Sequence, residues 1–139
     1  MRWFQQLVRR WRTQRTLGQR GELAAQRYLK RRGYTVVARG ERGRIGELDL
    51  VAVDGRTVVF VEVKTRRTHN AGAPVEAVHA AKQRQLTRAA LSYLRRHDLL
   101  ECRARFDVVA ITWPNDSSRP AIEHIKQAFE PTGRGQFFS

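Results

Sequence analysis

Asp49, Glu62 and Lys64 are the residues whose types and spacing can do chemistry in this chain. They lie in GELDLVAVDGRTVVFVEVKTR, where two β-branched-rich runs, 48–53 and 58–64, meet at Asp54-Gly55, a strong hairpin signal. Side chains alternate along a strand, so Glu62 and Lys64 share a face. A two-residue loop at Asp54-Gly55 sets Asp49 opposite Phe60 and diagonal to Glu62, whereas a four-residue loop sets it directly opposite Glu62. Both registers gather the three side chains; only an odd-length loop or a bulge separates them.

Two carboxylates facing each other on an apolar sheet repel by on the order of 4 kcal/mol at about 4 Å and an effective dielectric near 20. Protonation, a neighbouring cation or a metal relieves that repulsion. Lys64 neutralises one charge but not two. Hard carboxylate oxygens suit Mg²⁺ or Mn²⁺, which also keep water ligands. A metal there can activate water and stabilise phosphoryl charge, with Lys64 orienting or polarising the attacking water. The plainer alternative is an exposed Glu62–Lys64 ion pair of little energetic weight, with Asp49 a solvated neighbour.

Other residues stand close to this constellation. Glu22, at the edge of a helical apolar stripe and near Leu29 in angle, can reach the same site as a third carboxylate. Glu47 shares the strand face of Asp49, two residues nearer the strand end, and reads as a supporting or phosphate-facing group. Lys82 and Gln83 point to the inward side of a later helix and are weaker candidates for supporting the site.

The elements that position these groups follow from periodicity. Residues 16–32 read as a helix, with Leu17, Gly21, Ala24, Ala25, Tyr28 and Leu29 on one stripe and Arg20, Arg27, Lys30 and Arg31 opposite. Residues 35–38 read as a short strand and 39–46 as a loop. The hairpin comes next, then a basic loop over 65–74 and a helix over 75–96 with Leu86, Ala89, Ala90, Tyr93 and Leu94 inward. Residues 106–113 form a buried-type strand, 114–120 a turn-rich loop and 121–125 a last short strand. The expected fold is α/β, a mixed sheet in the order α-β-β-β-α-β-β with helices packed on it.

One domain suits 139 residues, expected over 16–127, with a basic amphipathic appendage over 1–15 and a tail over 128–139. Lys and Arg total 27 against 13 Asp and Glu, a net charge of +14, which calls for a polyanionic partner. Nucleic acid comes first and an anionic membrane surface second, although 23 arginines can also reflect a merely Arg-rich composition. Cys102 stands alone, which excludes an intramolecular disulfide and fits a reducing cytoplasm. His69, His79, His97 and His124 lack zinc-like spacing and read as loop or helix-surface residues. No apolar run approaches the roughly 20 residues that span a bilayer. The first twenty residues carry six Arg and no acid, and lack the apolar core of a secretion signal.

The hairpin string, together with Gly21-Glu22, Lys82-Gln83 and RFDVV at 105–109, resembles the YraN family of bacterial proteins. That family is similar to archaeal Holliday junction resolvases within the PD-(D/E)xK nuclease superfamily, and the resemblance spans roughly 16–127. It implies a three-layer, restriction-endonuclease-like core and Mg²⁺-dependent cleavage of DNA, in branched or single-stranded form. By motif position it implies Asp49, Glu62 and the Val63 carbonyl as metal ligands, Lys64 as catalytic lysine and Glu22 as a helix-borne acid. The Pro of the superfamily motif is absent, since Ile45-Gly46-Glu47-Leu48 precedes Asp49. Arg42 and Arg44 before the site and Arg66 and Arg67 after it, with Arg84 and Arg88 on the second helix, are the expected phosphate contacts. Asp107 reads as an acid that caps or pairs with an arginine rather than as a catalytic group. A resolvase cutting two strands symmetrically implies a homodimer. The alternative is a non-catalytic nucleic-acid-binding accessory protein with the same fold.

Overall fold

Thr16 opens the first helix with a capping box: its hydroxyl accepts the Gln19 amide at 3.1 Å, and Gln19 Oε1 accepts the Thr16 amide at 3.0 Å. The computed structural model describes residues 16–68, 70, 72–116 and 118–132, so the expected appendage over 1–15 and His69 lie outside the described residues. Helix α1 (Leu17–Arg31) leads to strands β1 (Thr35–Arg42), β2 (Glu47–Asp54) and β3 (Thr57–Arg66). A short 3₁₀ turn (Pro74–Ala77) and helix α2 (Ala80–Arg96) follow, then β4 (Arg103–Thr112) and β5 (Ala121–Phe129). The expected α-β-β-β-α-β-β order is observed.

The strands form one mixed sheet in the order β1-β2-β3-β4-β5. All neighbours are antiparallel except β3 and β4, which run parallel because α2 carries the chain across between them. Alternation splits the core in two. Ala25 and Leu29 of α1 pack with Leu50, Ala52, Val59, Val61, Val109 and Ile111. Leu86, Ala90 and Leu94 of α2 pack with Val51, Val58, Phe60, Phe106 and Val108. The helices therefore cover opposite faces of the sheet.

Several boundaries differ from the sequence reading, each for a physical reason. Residues 39–42 are strand rather than loop, because their backbone pairs with β2 as far as Arg42 opposite Glu47 despite the polar side chains. The second helix begins at Ala80 rather than at residue 75. His79 is extended at ψ 171°, and its imidazole accepts the Lys82 amide, so it acts as an N-cap that starts a new helix after the 3₁₀ turn. Strand β5 runs on to Phe129, which stacks on Phe106 with ring centroids 4.6 Å apart and belongs to the core. Arg20 does not face solvent with Arg27 and Arg31; its guanidinium lies 4.1 Å from the centre of the Trp113 ring.

Gly21 sets how closely α1 approaches the sheet. A Cβ at this position would lie 2.9 Å from Thr65 Cβ, an overlap that no rotation of the threonine side chain relieves. Gly21→Ala gains about 1 kcal/mol of helix propensity but incurs overpacking of typically 1–3 kcal/mol. A net loss of up to about 2 kcal/mol is expected in urea unfolding, and a variant more stable than the parent would contradict this packing.

Candidate active site at the fork of two strands

The β2–β3 hairpin turns at Gly55-Arg56, one residue later than the Asp54-Gly55 reading, because Asp54 pairs with Thr57. Gly55 takes φ +62° at the first central position, where glycine is unstrained. The register is still the one that sets Asp49 opposite Glu62, a step beyond the Leu50–Val61 pair. At that step Asp49 Oδ2 accepts the Val63 amide at 2.9 Å. The side chain thus replaces a backbone partner where the two strands part.

Glu62 is 6 % exposed, and its two oxygens have different surroundings. Oε1 lies 3.5 Å from Lys64 Nζ and 3.7 Å from Lys82 Nζ. Oε2 is buried and makes no hydrogen bond. Burial, followed by the charge of Asp49, pushes the Glu62 carboxyl from 4.5 to about 7, against the pull of Lys82 and Lys64. Burial, then Asp49, then Glu47 likewise raise Glu22, which the close contact at Gly21 brings to this end of the sheet.

The structure therefore gathers Glu22, Asp49, Glu62 and Lys64 at one end of the sheet. Lys82 was expected only to support the site, but it reaches Glu62 directly from the first turn of α2. It supplies the second positive charge that Lys64 alone could not, so charge balance by itself no longer requires a metal. Among the described residues, no three Asp, Glu, His or Cys side chains form a metal-holding group. The donor set that fits a hard cation is narrower: the unpartnered Glu62 Oε2 and the Asp49 carboxylate, with the Val63 peptide fixed beside them.

Gln83 does not join the carboxylates, since its amide donates to the Val78 carbonyl at 2.9 Å and braces the helix start. Gln85 was missed: its side chain covers Gly46, where the backbone takes φ +149°. Glu47 is exposed and pairs with Arg42 at 3.3 Å.

The expected phosphate-binding arginines separate by environment. Arg66 is committed to the fold, donating to Thr112 and to the Gly72 carbonyl. Arg67 shares Asp116 with Arg20 and donates to the Trp113 carbonyl at 3.1 Å. Arg44, Arg84 and Arg88 are exposed, and Arg42, though paired with Glu47, is 82 % exposed.

A second polar cluster lies away from this end. Asp107 is fully buried, with Oδ2 2.8 Å from His124 Nε2 and Oδ1 accepting from Arg105 Nε at 3.0 Å. The expected arginine pairing of Asp107 is present. His124 is not a surface residue; it lies on β5 between Tyr28 and Tyr34. Single-residue spacing carried no signal for it, because its partner is 17 residues away.

Fold and site define an α/β protein with helices on both faces of a mixed five-stranded sheet and a half-buried acid–lysine cluster where β2 and β3 part. The family model described as "Uncharacterised protein family UPF0102" matches residues 21–111. The chain is 52 % identical over 116 residues to a UPF0102 protein of Geotalea uraniireducens (strain Rf4), covering 84 % of this chain and 91 % of that one. It is 54 % identical over 114 residues to one of Geobacter sulfurreducens (82 % and 88 % covered) and 48 % identical over 125 residues to one of Rhodopirellula baltica (88 % and 75 %). The chain belongs to the UPF0102 family, the YraN group of the sequence resemblance. No helix among the described residues is long and apolar enough to cross a membrane.

Proposed function

We propose that the chain is a divalent-metal-dependent nuclease acting on DNA, with a restriction-endonuclease-like arrangement of the site. The observation that carries this reading is the asymmetry of Glu62: one oxygen faces two lysines, while the other is buried with no donor to meet it and the Asp49 carboxylate as its neighbour. Leaving a buried acceptor unsatisfied costs about 1–3 kcal/mol, a cost that a cation bound during function would remove. Asp49 and Glu62 would hold Mg²⁺ or Mn²⁺, with the Val63 carbonyl adjoining and Glu22 in reserve. When bound, the cation would lower the charge on a phosphodiester and supply an activated water. Lys64, tethered to Glu62 Oε1, orients the attacking water or a phosphate oxygen. Lys82 holds the same carboxylate from the other side and fixes its rotamer. A net charge of +14 supplies the affinity for the polyanion.

A panel of duplex, single-stranded, flap and four-way DNA, with Mg²⁺ and with Mn²⁺, tests the reading. The parent is expected to cleave at least one form and to stop on chelation. Lys64→Ala is expected to cut at least about 100-fold more slowly, with binding kept. That variant, purified alongside, excludes a contaminating nuclease.

The second reading is an accessory nucleic-acid-binding protein on the same fold. Two lysines already balance the Asp49–Glu62 pair, and this observation favours it. Absence of cleavage on every substrate with either ion, joined to absence of Mn²⁺ heat in calorimetry, would decide for it.

A further inference from the structure

Beside the site, α2 carries a groove that the chemistry above does not use. Arg84, Arg88, Leu91 and Arg95 follow one another at helical spacing on the face opposite the buried Leu86, Ala90 and Leu94. Ile45, from the β1–β2 loop, adds a second apolar wall, and the open space between them is about 430 Å³. The three arginines are exposed, and no carboxylate among the described residues pairs with any of them. Elsewhere, Arg20, Arg42, Arg67, Arg96 and Arg105 each meet an acid. These three positive charges without an acid partner line one helical stripe beside the groove.

This stripe begins at the end of α2 that also carries Lys82. Lys82, two residues before Arg84, reaches Glu62, and Gly46, between Ile45 and Glu47, lies against Gln85. From Arg84 to Arg95 the helix rises about 16 Å, the reach of several nucleotides of backbone. A duplex presents its phosphates on a convex surface and hides its base faces. A concave groove with cations along one line and aliphatic side chains between them suits a strand whose bases are unstacked.

We propose that this α2 groove binds a single-stranded segment of nucleic acid leading to or from the Glu62 site, with Arg84, Arg88 and Arg95 on its phosphates and Ile45 and Leu91 against its bases. The proposal rests on the reading of that site as one that acts on nucleic acid. It restricts the substrate to DNA with a single-stranded arm.

Fluorescence anisotropy in chelator tests it, using a labelled oligodeoxynucleotide without self-complementarity and the same sequence as a duplex. The triple variant Arg84→Ala/Arg88→Ala/Arg95→Ala is compared with Arg27→Ala/Lys30→Ala/Arg31→Ala, which removes equal charge from the exposed face of α1. The groove variant is expected to bind the single strand roughly tenfold more weakly than the control, with a salt slope shallower by about 2. Its duplex affinity should fall no further than that of the control. The proposal is overturned if the two triple variants weaken the single strand equally, or if the groove variant loses duplex and single strand alike. Because chelator removes cleavage from the readout, a protein that binds through the groove and cuts nothing sinks the nuclease reading alone. One that cuts with the groove variant unaffected sinks the groove alone.

Discussion

Glu62→Gln is expected to make the metal-free protein more stable than the parent at pH 8, by on the order of 3 kcal/mol, and no more stable at pH 4. In the unfolded chain this carboxyl ionises near 4.5; in the folded chain it holds its proton to about 7. Between those values the folded state binds more protons than the unfolded state. Parent stability therefore falls as pH rises through the window, and the full penalty stands above about 7. Glutamine mimics the protonated acid and carries no such penalty. Urea unfolding of parent and variant across this pH range, in chelator, gives the difference directly. A constant difference between the two proteins from pH 4 to pH 8 would refute a strained Glu62.

Mn²⁺ should close most of this difference at high pH. A ligand at 100 times its Kd stabilises the folded state by about 2.7 kcal/mol, and Glu62→Gln removes half of the donor set. The parent melting temperature should rise with added Mn²⁺ and that of the variant should not. The rise should also be larger at pH 8 than at pH 6, because the ion competes with the proton that Glu62 otherwise keeps.

The second large effect lies in the network around Asp107. Burial raises this carboxyl, but the hydrogen bonds from His124, Arg105 and the Gln127 amide outweigh it and hold it below the usual aspartate range. Gln127 adopts φ +50°, a left-handed conformation that aims its amide at Asp107 Oδ1 at 3.1 Å, beside the irregularity between β4 and β5. An ionised aspartate only accepts, so His124 Nε2 carries the proton between them. Arg105 extends the network to Asp54 at 3.0 Å and to the Tyr34 hydroxyl at 2.8 Å. Asp107→Ala takes the buried acceptor from the His124 N–H, the Gln127 amide and Arg105 Nε, while Arg105 keeps Asp54 and Tyr34. A loss of about 3–5 kcal/mol is expected from removing one partner of a buried charged network. The stability conferred by Asp107 is present above the unfolded aspartate value of 3.8 and is lost as pH falls through the lower folded value. The parent should therefore lose stability in acid where Asp107→Ala does not. A loss below about 1 kcal/mol at neutral pH would show the network to be dispensable.

These two sites differ in how far they could be read from the chain. Asp49, Glu62 and Lys64 were legible because strand alternation has a period of two and one hairpin fixes the register; even a turn displaced to Gly55-Arg56 kept them together. The inward faces of both helices were legible for the same reason, with a period of 3.6. The strand at 39–42 was not, because its polar side chains hide a backbone that β2 recruits. The start of α2 was not, because a histidine cap carries no periodicity.

By itself, then, the sequence determined the order of elements, the two apolar layers and the shared face of two acids and a lysine. All of these rest on local repeats that each segment carries within itself. Tertiary structure alone decided that Lys82 meets Glu62 and that Gly21 lets Glu22 approach. It also decided that His124 closes on Asp107, and that three arginines line one groove with Ile45. Those pairings join residues distant in sequence, and their geometry is set by how two helices pack on opposite faces of one sheet. No spacing along the chain encodes that distance.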